Sequence, residues 1–250
     1  MPVAVVSGDH PNSIAVHALL RRNVASKIGL MTNTLASPRL DKVLRRLFAA
    51  AAKDDEVSAP TLPPGRSSWA EVTAAELSDA RENYYIPISA EAGNLLYALT
   101  RAIRPETVVE FGTSYGISTL YLAAAVTDNG AGQVFTTELS KKKVAAARAN
   151  LDDAGVGDAV TILSGDALET LADVPGPIQL ALLDGWKDLC LPVLRLLEPK
   201  LAPGALVAAD DITHTTMADY LEYVRDPANG YVSVAFPVED GMEISSWTGR

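Results

Sequence analysis

From Pro105 onward, short apolar runs alternate with helical patterns, and this alternation constrains the fold more than any other feature of the chain. Strand-like runs occupy residues 107–111, 133–138, 159–163, 178–183 and 205–209. Helical patterns lie between and after them, near 117–126, 141–153, 167–173, 189–197 and 216–224. Nearly all-apolar strands joined by helices imply a parallel sheet buried on both faces. The tail adds runs at 231–235 and 243–247, linked through 237–241, which read as a hairpin at one end of the sheet. The expected fold is α/β: a doubly wound, mostly parallel seven-stranded Rossmann-like sheet, helices on both faces, and a helical N-terminal extension.

The first third is helical in pattern. Ser37 and Pro38 offer an N-cap followed by proline at the first helical position, and Leu40, Val43, Leu44, Leu47 and Phe48 recur at helical spacing. Residues 54–68, with Pro60, Pro63, Pro64 and Gly65, read as a loop. Helices are expected at 69–83 and, capped by Ser89, at 90–104. A formal charge of −10 disfavours nonspecific nucleic-acid binding. Cys190 stands alone, which precludes an intrachain disulfide and fits a reducing cytoplasm. It reads as a packed small side chain. No apolar stretch reaches membrane-spanning length, and residues 1–10 lack the pattern of a signal peptide.

In open parallel sheets, ligands bind outside the carboxyl ends of the strands. Here the run 108–111 ends in Glu110 and Phe111, then passes through Gly112, Thr113, Ser114, Tyr115 and Gly116 into a helical pattern. A strand that turns on glycine into a helix N-terminus makes a nucleotide-sized crevice. A dinucleotide fingerprint needs Gly-x-Gly-x-x-Gly, whereas Thr113 and Ser114 fill this turn. Glu110 would repel a pyrophosphate but accept hydrogen bonds from a ligand's amino group. These features point to S-adenosylmethionine, which carries an ammonium, a sulfonium and no phosphate. Glu138, at the end of the second strand, stands where an acid takes ribose hydroxyls, and Ser140 is the better cap for the helix that follows. Asp166 either accepts from the adenine amino group or caps the next helix.

A second constellation follows the fourth and fifth strands. Asp184, Asp210 and Asp211 would converge as a hard, all-oxygen site for Mg²⁺, or for Ca²⁺ or Mn²⁺; the other reading of the Asp pair is a plain turn. Lys187 can reach the same pocket as a general base, or be a surface lysine. His214 reads as a loop residue. Tyr84, Tyr85 and Trp186 are acceptor walls or core aromatics.

Three motifs, VEFGTSYG at 109–116, LLDGWKD at 182–188 and VAADDI at 207–212, resemble the class I S-adenosylmethionine-dependent methyltransferases. The similarity is to the metal-dependent catechol and caffeoyl-coenzyme A O-methyltransferase group, and it extends over residues 84–247. It implies that Glu110 and Gly112 hold the methionyl end of the cofactor and Glu138 the ribose, with Gly185 and Trp186 beside the adenine. Ile86 and Ile88 would pack on the ligand, and Ser114, Ser118, Asp166, Ala167 and Asp184 complete the implied cofactor contacts. Asp184, Asp210 and Asp211 would carry the metal and Lys187 the base's role. Two positions depart from the group: Asp211 stands where asparagine is common, and the acid that holds a second hydroxyl falls near Val234, which speaks against catechol itself. By the same resemblance, residues 84–250 form the methyltransferase domain, and residues 1–83 an extension that caps the acceptor or makes dimer contacts.

The expected activity is magnesium-assisted O-methylation of a small hydroxylated aromatic by a cytoplasmic homodimer that binds neither nucleic acid nor membrane. The metal would lower the hydroxyl pKa while Lys187 takes the proton. Rival readings are an N-methyltransferase of a small amine or heterocycle, a non-catalytic cofactor-binding module, and a dehydrogenase.

Overall fold

The strands are β1 (Thr107–Phe111), β2 (Gln133–Glu138), β3 (Val160–Ser164), β4 (Ile178–Leu183), β5 (Leu201–Ala209), β6 (Tyr231–Phe236) and β7 (Met242–Trp247). They form one seven-stranded sheet of order β3-β2-β1-β4-β5-β7-β6, with β4 in the middle and β1 beside it. Strands β1 to β5 pair in parallel, and the β6–β7 hairpin adds to β5 antiparallel, with β6 at the edge. The computed structural model describes residues 33–249, so expectations for residues 1–32 lie outside the described part.

Alternate residues of the central strands enter opposite cores. Val108, Leu180 and Leu182 face helices α1 (Pro38–Ala51), α3 (Ala90–Ile103), α4 (Ile117–Asn129) and α5 (Lys141–Ala154). Val109, Ala181 and Leu183 face the other layer, with α6 (Ala167–Thr170), α7 (Cys190–Leu197) and α8 (Ala218–Arg225). Both faces are covered, which is why these strands read as continuous apolar runs rather than alternating ones. Each fully buried leucine contributes about 2 kcal/mol of burial free energy. Helix α4 carries no single apolar stripe because it is enclosed on most sides: Leu120, Leu122 and Ala123 to Ala125 have no exposure.

Two segments differ from the sequence pattern. The stretch 69–83 forms a short 3-10 turn (Trp69–Glu71) and a separate helix, α2 (Ala74–Ala80), instead of one helix. A capping box restarts the chain there: Thr73 accepts from the Glu76 N–H, and the Glu76 carboxylate accepts from Thr73. Strand β5 begins at Leu201 rather than 205, because a bulge lets pairing with β4 resume at Leu206 opposite Leu180. Gly204, at φ +80°, supplies the backbone conformation within it.

Pairing continues one residue past the strand ends. The Asp184 N–H donates to the Phe111 carbonyl at 2.8 Å, and the Asp210 N–H to the Leu183 carbonyl at 3.2 Å. Gly112, Asp184 and Asp210 therefore emerge side by side at the carboxyl edge. Among the described residues, no helix is long and apolar enough to cross a membrane.

Candidate active site

A cavity of about 370 Å³ opens along that edge. Of the expected cofactor contacts, Ile86, Ile88, Gly112, Ser114, Ser118, Glu138, Asp166, Ala167, Asp184 and Trp186 line it. Glu110 does not: it lies fully buried beneath the lining. Lys187 and Asp211 line the cavity, and Asp210 sits behind them, 4% exposed.

The turn after β1 is held by close contacts. Gly112 adopts φ +108°, and a Cβ there would lie 2.6 Å from the Asp184 carbonyl oxygen, so only glycine fits. Ser114 sits at φ +46°, donating its N–H to Glu138 at 2.9 Å and its hydroxyl to the Tyr85 carbonyl at 2.7 Å. The other Glu138 oxygen accepts from the Ser140 N–H at 2.8 Å, while Ser140 caps α5. Asp166 does both things its position allowed: it caps α6 through the Leu168 N–H at 2.8 Å and lines the cavity.

Glu110 Oε2 accepts from the Thr119 hydroxyl at 2.5 Å, and Oε1 has no hydrogen-bond partner. Burial pushes its carboxyl up to about 7, against the nearby hydroxyls of Ser118, Thr119 and Thr136, which favour the ionised form. Oε1 is therefore a buried acceptor left without a donor beneath the Gly112 end of the cavity. Because the folded pKa is raised, Glu110 contributes stability below about pH 4.5 that is lost as pH rises to about 7. Wild type is expected to lose roughly 3 kcal/mol more than Glu110→Gln between pH 4.5 and 7.5. Urea unfolding of both proteins at the two pH values checks this; parallel losses would show that Glu110 does not titrate in that window.

At the ends of β4 and β5, one carboxylate oxygen each from Asp184, Asp210 and Asp211 lie within 4.8 Å of one another. Lys187 Nζ bridges two of them, 2.8 Å from Asp184 and 3.0 Å from Asp211. Burial alone would depress the Lys187 ammonium, but the two carboxylates outweigh it and hold its pKa above the ordinary range. Burial, reinforced by Asp184 and Asp211, pushes Asp210 up to about 8, and burial likewise raises Asp184. One ammonium does not neutralise three converging carboxylates. A set of hard oxygen donors carrying this excess charge fits a divalent cation. Asp211 lies at φ +56°, a left-handed conformation that both Asp and Asn tolerate. Val234 lies 59% exposed on β6, and Glu239, in the turn before β7, adds negative charge to Asp184 and Asp210.

Several lining residues escaped the sequence reading. Leu77, Ser78 and Arg81 come from α2 and its C-terminal end, and Lys143 from the first turn of α5. Of the three aromatic walls considered, Tyr85 and Trp186 line the cavity. Tyr84 is absent from the lining and donates its hydroxyl to the Ser58 carbonyl at 2.9 Å. Tyr85 stacks on Tyr115 at 4.0 Å, and the Arg81 guanidinium lies 5.9 Å from the Trp186 ring. His214 both caps a short turn and lines the cavity. Cys190 is buried, as its apolar surroundings suggested.

Comparisons with known proteins agree with this geometry. Residues 109–212 match the model of a methyltransferase domain. Over 140 residues, 56% of this chain, the sequence is 35% identical to a catechol O-methyltransferase of Mycobacterium tuberculosis and spans 63% of that relative's length. The solved structure of cofactor-bound Rv0187 from MTB superposes with a TM-score of 0.65 at 24% identity, covering 97% of this chain and 100% of the other. The O-methyltransferase TomG from Streptomyces achromogenes, solved in complex with SAM, gives a TM-score of 0.61 at 20% identity, covering 92% and 96%.

Proposed function

We propose that this chain, whose residues 109–212 match a methyltransferase domain, is a class I S-adenosylmethionine-dependent methyltransferase of the catechol and caffeoyl-coenzyme A O-methyltransferase group, and that it methylates an oxygen of a small hydroxylated aromatic with divalent-metal assistance. The observation that carries the reading is the Asp184–Asp210–Asp211 cluster with Lys187 at one end of a cavity whose opposite wall is the Gly112–Ser114 turn and Glu138.

When bound, S-adenosylmethionine supplies an electrophilic sulfonium methyl and the divalent cation a Lewis acid. Gly112 gives the methionyl end close access to the backbone, and the unpartnered Glu110 oxygen offers it a charge-assisted acceptor. Glu138, fixed by two backbone N–H groups, accepts from ribose hydroxyls. Asp184, Asp210 and Asp211 are the oxygen donors for the cation. Were those carboxylates engaged by a cation, Lys187 would be held less firmly in its ammonium form; once its proton had passed to solvent, Nζ would be the group placed to take the proton of the acceptor hydroxyl. Trp186 and Tyr85 supply aromatic walls of the cavity, and rate enhancement comes chiefly from orientation and electrostatics.

Residues 84–250 serve as the methyltransferase domain, and residues 1–83 as an extension that caps the acceptor or makes dimer contacts. Leu77, Ser78 and Arg81 in the cavity wall support the capping role. A cytoplasmic homodimer acting on a small-molecule acceptor, without nucleic acid or membrane, completes the reading; the charge of −10 and the lone cysteine support it. Product analysis on matched phenol and amine acceptors tests the methylated atom. The expected product is the O-methyl ether; exclusive N-methylation would favour the rival.

A further inference from the structure

Helix α5 opens with three lysines, and only the third is buried. Lys142 pairs with Glu82 at 3.2 Å and also donates to Asn83. Lys143 falls in register with Ala147, Asn150, Leu151 and Ala154, the buried stripe of the helix, and is 5% exposed. Its side chain lines the cavity, with Nζ 5.7 Å from the Tyr115 ring centroid. Among the described residues, the ammonium is within hydrogen-bond or ion-pair distance of no partner.

Burial depresses the Lys143 pKa, and the charge of Glu138 opposes that fall without forming an ion pair. A buried ammonium held only over the face of an aromatic ring still lacks a hydrogen-bond acceptor, so this geometry favours a ligand acceptor in the cavity. The neighbouring Glu138 already uses both oxygens to accept backbone N–H groups, which fixes its remaining lone pairs as acceptors only. A ribose diol offers two O–H donors and, on the same atoms, lone pairs that a carboxylate cannot satisfy.

We propose that Lys143 is the second half of a ribose clamp, donating to a ribose hydroxyl oxygen of the cofactor while Glu138 accepts from the diol. This rests on the S-adenosylmethionine reading above and deepens it by assigning a cofactor contact to a cation outside the motifs. Specificity follows: the pair recognises a neutral vicinal diol by donor and acceptor together.

The test is calorimetric titration of S-adenosylhomocysteine and its 2′-deoxy and 3′-deoxy counterparts into wild type and Lys143→Met, with melting temperatures as the folding control. The variant is expected to bind S-adenosylhomocysteine about tenfold more weakly. For one deoxy ligand, the affinity lost on removing the hydroxyl should be clearly smaller in the variant than in wild type. A merely structural or long-range electrostatic role would weaken all three ligands by the same factor. Lys143→Gln, which keeps a donor, should lose less than Lys143→Met and serves if the latter fails to fold. Equal affinity of wild type and both variants, or equal losses across the three ligands, overturns the clamp alone. Failure of wild type to bind S-adenosylhomocysteine overturns the cofactor reading and the clamp with it.

Discussion

Lys187→Met is expected to lower the methyl-transfer rate about 10²–10⁴-fold, the range for loss of a positioned general base. The ammonium now lies 2.8 Å from Asp184 and 3.0 Å from Asp211, so it competes for the oxygens that a divalent cation needs. Removing it should therefore leave metal affinity intact or raise it, even as turnover fails. Lys187→Arg should not rescue the rate, because a guanidinium keeps its proton. Single-turnover rates with labelled cofactor, alongside Mn²⁺ binding followed by electron paramagnetic resonance, separate the two effects. Parallel loss of metal affinity and rate would make Lys187 a structural counter-ion instead.

Gly112→Ala is the second large effect, and it acts through the backbone. The new methyl would meet the Asp184 carbonyl at 2.6 Å in a backbone already at φ +108°. Strain of this kind costs about 1–3 kcal/mol, and overpacking adds a similar amount, so a loss of about 2–6 kcal/mol is expected. The displacement falls on the junction between the cofactor turn and the Asp184 loop. Cofactor binding and the carboxylate cluster should therefore suffer together. Urea unfolding measures the first consequence and S-adenosylhomocysteine calorimetry the second. Gly130→Ala is the control, since Gly130 also has positive φ, at +73°, but nothing within 4 Å of a Cβ. It should lose stability from strain while binding the cofactor normally.

The sheet was legible because fully buried parallel strands leave uninterrupted apolar runs, as at Val108–Val109 and Leu180–Leu183. The acids at strand ends were legible for a related reason: pairing carries Gly112, Asp184 and Asp210 to one edge whatever the helices do. What stayed hidden depends on side-chain packing. Nothing in three consecutive lysines says that Lys143 alone occupies the buried stripe of α5. Likewise, the register of α2 that brings Leu77 and Arg81 to the cavity is set by the Thr73–Glu76 capping box, which a continuous helical reading of 69–83 passed over. Counting back from Asp240 led to Val234. That strand position is exposed, and the charge felt by Asp184 and Asp210 from this part of the chain comes from Glu239, whose Oε2 accepts from the Ser89 N–H.

Methyl transfer from labelled S-adenosylmethionine to a small vicinal dihydroxy aromatic, measured with Mg²⁺, with excess chelator, and after Mg²⁺ is restored, tests most directly whether the cavity and the carboxylate cluster act together. The expected result is transfer to oxygen that chelation abolishes and metal restores. Full transfer in excess chelator would contradict it.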